Sequence, residues 1–155
     1  MDAFFLSEFT AWREGTSFRF HQQIWRRALN RFQALVAAAI VRRNPNAEVI
    51  PFSDAVVKCS LNARDSVMTN AEKLASLPSG GTNCSAPLYE LNRRKAQGDL
   101  VVYVSDNESW VDSPRYGYFG GGASETMKQW AEFKRRSPQA RMVCIDIQPY
   151  ATTQA

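Results

Sequence analysis

The chain has 155 residues, 45% apolar and 22% charged, with 8 Gly and 7 Pro. This suits one domain of about 100–150 residues and excludes a disordered, collagenous or coiled-coil chain. The formal net charge of +4 lies wholly in residues 1–46, which carry seven arginines against three acids. The rest of the chain is neutral, which argues against a broad basic surface over the main body.

No apolar run approaches the ~20 residues of a bilayer span; the longest, Ala34 to Val41, is closed by Arg42-Arg43. The N-terminus has no basic n-region, and Glu8 interrupts any h-region, so no secretory signal is read. Cys59, Cys84 and Cys144 are odd in number and widely spaced, which fits reduced thiols and a cytoplasmic protein.

Ala3–Phe9 is apolar and aromatic without alternation. Ser17–His21 alternates briefly with period two. Gln22 to Arg43 reads as a helix with Ile24, Ala28, Phe32, Leu35 and Ala39 recurring at three- and four-residue steps. Asn44-Pro45-Asn46 stops it. Ala47–Phe52 is a strand, Ser53-Asp54 a turn and Ala55–Cys59 a second strand, which together predict a hairpin.

Ser66 or Asp65 caps a helix to about Leu77, with Val67, Ala71 and Leu74 on one face. Pro78-Ser79-Gly80-Gly81 ends it, and Thr82–Ser85 opens a helix over Ala86–Ala96. Leu100–Val104 is a continuous apolar run, as in a strand covered on both faces. A long polar stretch, Asp106 to Ala123, precedes helix Ser124–Arg136 and strand Arg141–Ile147. Strands alternating with helices predict an α/β fold: a doubly wound, mostly parallel open sheet flanked by helices, of Rossmann type.

Two polar loops stand out. Ser105-Asp106-Asn107-Glu108-Ser109-Trp110 follows a strand at the end where such sheets bind ligands. Its hydroxyl and carboxylate oxygens suit a hard cation such as Mg²⁺, or simply a solvated turn. Gly80-Gly81-Thr82-Asn83-Cys84-Ser85 sits at a helix N-terminus, where Thr82 presents a hydroxyl or serves only as a cap.

These loops, with Phe52-Ser53-Asp54, resemble the C-terminal von Willebrand factor A-like (vWA-like) domain of Ro autoantigen, or TROVE-domain, RNA-binding proteins of bacterial type. Ala34–Asn44 and Arg141–Ala155, with Cys144-Ile145-Asp146-Ile147-Gln148-Pro149-Tyr150, are similar too. The resemblance covers residues 34–155 and leaves 1–33 as an atypical N-terminal segment. It implies a doubly wound domain with a metal-ion-dependent adhesion site fed by three loops. Thr82 takes the threonine role, Asp106 the aspartate role, and Ser105 and Glu108 remain nearby. The Asp-x-Ser-x-Ser loop of that site is missing.

Two expectations follow. A divalent cation, Mg²⁺ first, is held weakly or not at all. The sheet lacks its first central strand, which leaves Leu100–Val104 beside an unpaired edge. The domain is expected to be incomplete at both ends, lacking the upstream RNA-binding repeats and a last strand and helix. It is therefore read as a truncated or disrupted member.

Other groupings are weaker. His21 is the sole histidine, too isolated for a catalytic triad, and one His with three scattered Cys does not make a zinc site. Gly120–Gly122 lacks the Lys-Ser/Thr of a phosphate loop. Arginines among aromatics, including Arg26 and Arg27, suit RNA contacts or a solvated basic helix face. Asp106, Asp112 and Asp146 suggest a two-metal hydrolase only loosely, because Asp146 lies inside a strand.

The expected function is a non-enzymatic binding module in a ribonucleoprotein context. Its partners are a small noncoding RNA or RNP protein, and an acidic group of a protein partner at the metal site; neither DNA nor membrane is expected. The alternatives are a metal-dependent phosphoester hydrolase and a nonfunctional truncated gene product.

Overall fold

The computed structural model describes residues 3–7, 18–44, 46–78, 82–105 and 124–146. Four strands, β1 (Ala3–Ser7), β2 (Glu48–Phe52), β3 (Leu100–Ser105) and β4 (Arg141–Asp146), form one parallel sheet in the order β2-β1-β3-β4. Helices α1 (Phe18–Arg43), α2 (Val67–Ala75), α3 (Ala86–Arg93) and α4 (Glu125–Arg136) connect them.

The central strand expected to be missing is present. β1 pairs with β2 on one side, with Phe5 level with Ile50, and with β3 on the other, with Phe5 level with Tyr103. β3 therefore has a neighbour on each side. A strand in the middle of a parallel sheet reads as an apolar run without alternation, and Ala-Phe-Phe-Leu is such a run, only shorter than expected. The boundary set at residues 33/34 falls inside α1, which runs unbroken across it.

The two faces of the sheet carry separate clusters. Val101 and Tyr103 of β3 pack with Ile50, Phe52, Leu88, Leu91 and Phe133, under α3 and α4. Val102 and Val104 turn the other way, onto Ala34, Ala37 and Ala38 of α1 and Ala71 and Leu74 of α2. This alternation explains why the whole β3 run is apolar.

The inward stripe of α1 is not the one predicted. Ala34, Ala37, Ala38 and Val41 are buried, while Phe32 and Leu35 are exposed. Their spacing at i, i+3, i+4 and i+7 is a helical stripe, and its small side chains let the helix lie close to the sheet. Ser66 caps α2, its Oγ accepting from Thr69 N at 3.0 Å, and Ser124 caps α4 through Met127 N at 3.3 Å.

The predicted hairpin reduces to a single antiparallel bridge, Phe52 to Val56. Val57 N donates to Pro51 O at 2.8 Å and Ser53 N to Ala55 O at 3.0 Å. The next ladder bond would run from residue 51 to the Val57 carbonyl, but proline has no N–H to give. The ladder stops there, and residues 57–62 carry no regular structure.

Much of the basic character of the chain is used structurally. Arg42 Nη1 donates to the carbonyls of Ala63 and Arg64 at 3.0 and 3.1 Å, and Lys134 Nζ to those of Pro138 and Ala140. No helix among the described residues is long and apolar enough to cross a membrane.

Candidate functional site

The order in which strands are added to the sheet reverses between β1 and β3. From β1 the chain crosses through α1 to β2 on one side; from β3 it crosses through α4 to β4 on the other. In such sheets the carboxyl ends of the two strands flanking the reversal leave a crevice for ligand. Ser7 and Ser105 end those strands.

The segment Thr82–Ser85 is fastened over this rim. Asn83 N donates to Ser53 O at 2.9 Å, and Asn83 Nδ2 to Asp54 O at 3.2 Å, which ties it to the carboxyl end of β2. Asn83 Oδ1 accepts from Ser85 N at 3.2 Å and Ser85 Oγ at 2.7 Å. On the β3 side, Tyr103 Oη donates to Cys84 O at 2.8 Å, a buried bond. An asparagine side chain that satisfies its own neighbours locks a turn without a helix ladder.

Thr82 is thereby held at the rim with 4% exposure, and Ser105 is equally buried at the end of β3. Neither is without a partner. The capping alternative for Thr82 does not hold, because the N-cap of α3 is Ser85, and its hydroxyl makes no capping bond.

Asp106 and Glu108 lie outside the described residues, as do Asp112 and Gly120–Gly122. Asp146 ends β4, level with Ser105. Of the two loops predicted to feed the site, the described part therefore offers the neutral hydroxyl oxygens of Thr82 and Ser105. Their hard-oxygen chemistry suits a divalent cation, but two hydroxyls bring no negative charge. Among the described residues no cluster of three His, Cys, Asp or Glu could hold a metal ion.

Arg26 and Arg27 fall in the first half of α1. With 26 residues, α1 is about 39 Å long at 1.5 Å per residue. β1 and β2, with five residues each, span only about 17 Å. Since Ala34–Val41 covers the sheet, the half of α1 holding Arg26 and Arg27 runs on past the carboxyl ends, on the side of Thr82 and Ser105.

Sequence reasoning did not single out Asn83, Ser85 and Tyr103 as the groups that fix the Thr82 segment. The available signal was an Asx residue just before a Pro-containing helix start, together with a lone tyrosine in an otherwise aliphatic strand.

A family model described as the Ro60 vWA domain matches residues 18–116. The RNA-binding protein RO60 of Deinococcus radiodurans is 26% identical over 82 residues, 53% of this chain and 15% of that protein. The crystal structure of the Deinococcus radiodurans RO (RSR) protein aligns with a TM-score of 0.63 at 15% identity, covering 99% of this chain and 29% of that one. The second likeness shows the fold. The chain spans less than a third of the length of either relative. The family match begins at Phe18, the first residue of α1, not at residue 34.

Proposed function

This chain belongs to the Ro60 vWA domain family, and on that premise we propose that it is a non-enzymatic binding module of a Ro-type RNA-binding protein, working in a ribonucleoprotein context. The observation that carries the reading is the family match over residues 18–116, which takes in α1, the Thr82 segment and β3.

At the carboxyl rim, Thr82 and Ser105, with Asp106 and Glu108, form a partial metal-ion-dependent adhesion site. A divalent cation bound there supplies an open coordination position for an acidic group of a protein partner. The hydroxyls of Thr82 and Ser105 contribute oxygens, and the charge comes from Asp106. Without an Asp-x-Ser-x-Ser loop the affinity for Mg²⁺ is low. Arg26 and Arg27 on α1 offer phosphate contacts to a structured RNA at the same end of the molecule, since guanidinium groups pair well with phosphate.

The test is a thermal melt of the full chain with and without 10 mM Mg²⁺, repeated for Thr82→Ala and Asp106→Ala. A ligand that binds only the native state raises the midpoint by mass action. A rise in the wild type that both variants lose is the expected result, and no rise removes the metal from the reading. A phosphoester turnover assay under the same conditions separates the enzyme alternative: turnover lost in Asp106→Ala would replace the binding module with a hydrolase. A fluorescent structured RNA tests the basic helix, with Arg26→Glu/Arg27→Glu expected to weaken binding at least tenfold.

A further inference from the structure

Helices α1, α3 and α4 each stop a few residues before the next strand, so their carboxyl termini collect at the amino end of the parallel sheet, opposite the rim that carries Thr82 and Ser105. Each ends on bases: Arg42-Arg43 in α1, Arg93 in α3 with Arg94 and Lys95 after it, and Lys134-Arg135-Arg136 in α4. Singly, such a cluster complements a helix dipole. The fold brings the three together. Arg94 Nη2 meets Glu48 Oε2 at the start of β2 at 2.6 Å, Arg136 donates to Asn92 of α3, and Gly98 N donates to Ser137 Oγ at 3.2 Å. Arg64 joins them because Arg42 donates to its carbonyl at 3.1 Å, and Arg141 opens β4 with its N–H on Asp99 O at 2.9 Å.

The charges at this end are not balanced. Ten cations meet five carboxylates, those of Glu48, Asp65, Glu90, Asp99 and Glu132, an excess of five positive charges. The body of the chain is neutral in sum, so its composition hides a face that folding makes basic. Arg43, Arg64, Lys95 and Arg141 are exposed and form no ion pair with a described residue. Eight of the ten cations are arginines, whose planar forks match phosphate better than the point charge of lysine does. Tyr89 stands one turn before Arg93 on α3, is 60% exposed, and lies close enough to act on the Arg93 guanidinium electrostatically. Arginines beside an open aromatic ring suit a nucleotide chain, in which phosphates take the charge and a base stacks on the ring. An acidic peptide would meet the charge and leave the ring unused.

We propose that this amino-end face, from the carboxyl termini of α1, α3 and α4 up to Tyr89, binds single-stranded RNA. The inference rests on the ribonucleoprotein reading but assigns a second surface, at the other end of the molecule from Arg26 and Arg27. Arg43, Lys95, Arg135 and Arg141 hold phosphates, and Tyr89 stacks a base.

The test titrates the full chain into fluorescein-labelled dodecauridylate and reads anisotropy from about 50 to 200 mM KCl, the range over which phosphate contacts weaken steeply. Saturable binding that falls with salt is expected. Lys95→Gln/Arg135→Gln/Arg141→Gln should raise Kd about tenfold or more and flatten the plot of log Kd against log salt by about 2, since each single-strand phosphate contact contributes about 0.7. Tyr89→Ala should raise Kd about fivefold or more and leave the slope unchanged. Should the triple variant fail to fold, Tyr89→Ala and the wild-type slope decide. The inference fails if the wild type does not bind the oligonucleotide at the lowest salt, or if the triple variant binds as tightly as the wild type. It also fails if a glutamate dodecapeptide competes as well as unlabelled dodecauridylate and Tyr89→Ala changes nothing, which would make the face a site for an acidic protein. Binding that is lost in Arg26→Glu/Arg27→Glu but kept in the triple variant overturns this surface and leaves the ribonucleoprotein reading standing. Failure of the wild type to bind a structured RNA as well would count against that reading itself.

Discussion

The hydroxyl of Tyr103 donates to the carbonyl of Cys84 at 2.8 Å, inside the core and across nineteen residues of sequence. This bond joins the middle of β3 to the segment bearing Thr82. The ring of Tyr103 also meets Phe52 edge-on, with centroids 6.2 Å apart. Tyr103→Phe keeps the ring contact and leaves the Cys84 carbonyl without that donor. Loss of one intramolecular hydrogen bond costs about 0.5–1.5 kcal/mol. Urea unfolding should show that loss with an unchanged m-value. Any Mg²⁺-dependent rise in midpoint should shrink further, because the Thr82 segment is no longer pinned to β3.

Lys95 has φ of +54°, a left-handed conformation that disfavours residues with a Cβ by about 1–2 kcal/mol. It sits just past α3, where Lys95 N donates to Asn92 O at 3.0 Å and Ala96 N to Leu91 O at 2.9 Å. These two bonds make a Schellman motif, which glycine normally closes. Lys95→Gly should stabilise the chain by about 0.5–1 kcal/mol, since relief of strain exceeds the added freedom of the unfolded chain. Thermal unfolding measures this directly, and a lower midpoint would show that the Lys95 side chain contributes more than its backbone strain costs.

What the sequence made legible follows from how each element advertises itself. α2 and α4 carry serine caps ahead of a helical apolar stripe, and both were placed to within about two residues. β3 was recognisable because both of its faces are buried. β1 was missed as a central strand because five residues give too little pattern to separate from irregular apolar chain. The start of α1 was hidden by Phe18-Arg19-Phe20-His21, which mimics strand alternation over four residues. The hairpin failed on one proline whose missing N–H no hydropathy pattern reveals. At the candidate site, the sequence sets Ser105 at the end of β3 and Thr82 just ahead of α3, but the partners of Asn83 and Tyr103 are tertiary, and only the residue types hint at them.

The contrast on α1 gives a paired prediction. Ala38 is fully buried against the sheet face that carries Val102 and Val104, whereas Phe32 is 52% exposed. Ala38→Leu forces extra methylenes into a close helix–sheet contact, a change that typically costs about 1–3 kcal/mol. Phe32→Ser removes a larger side chain yet should change stability by less than about 0.5–1 kcal/mol, as exposed positions do. Chemical denaturation of the two variants checks the assigned inward stripe. The opposite ranking would mean that Phe32 packs and Ala38 does not.

The thiol of Cys59 is partly buried, and burial pushes its pKa above the ordinary value, while the nearby Lys73 ammonium pulls it partly back. The folded thiol therefore holds its proton to higher pH than the same thiol in the unfolded chain, which ionises near about 8.5. Above that value the folded state binds more protons than the unfolded state, so stability falls as pH rises. The contribution is fully present below the unfolded value and is lost as pH climbs through the folded one. Iodoacetamide labelling of Cys59, followed by peptide mass spectrometry from pH 7 to 10, should begin later than for a free cysteine peptide. Lys73→Met removes the positive charge and should delay labelling further. Lys73 Nζ also holds Asp65 Oδ2 at 2.8 Å, an exposed pair whose loss costs about 1 kcal/mol or less, so the fold survives the substitution. Earlier labelling in Lys73→Met would mean that opening of the segment around Cys59, and not the charge beside it, governs access to the thiol.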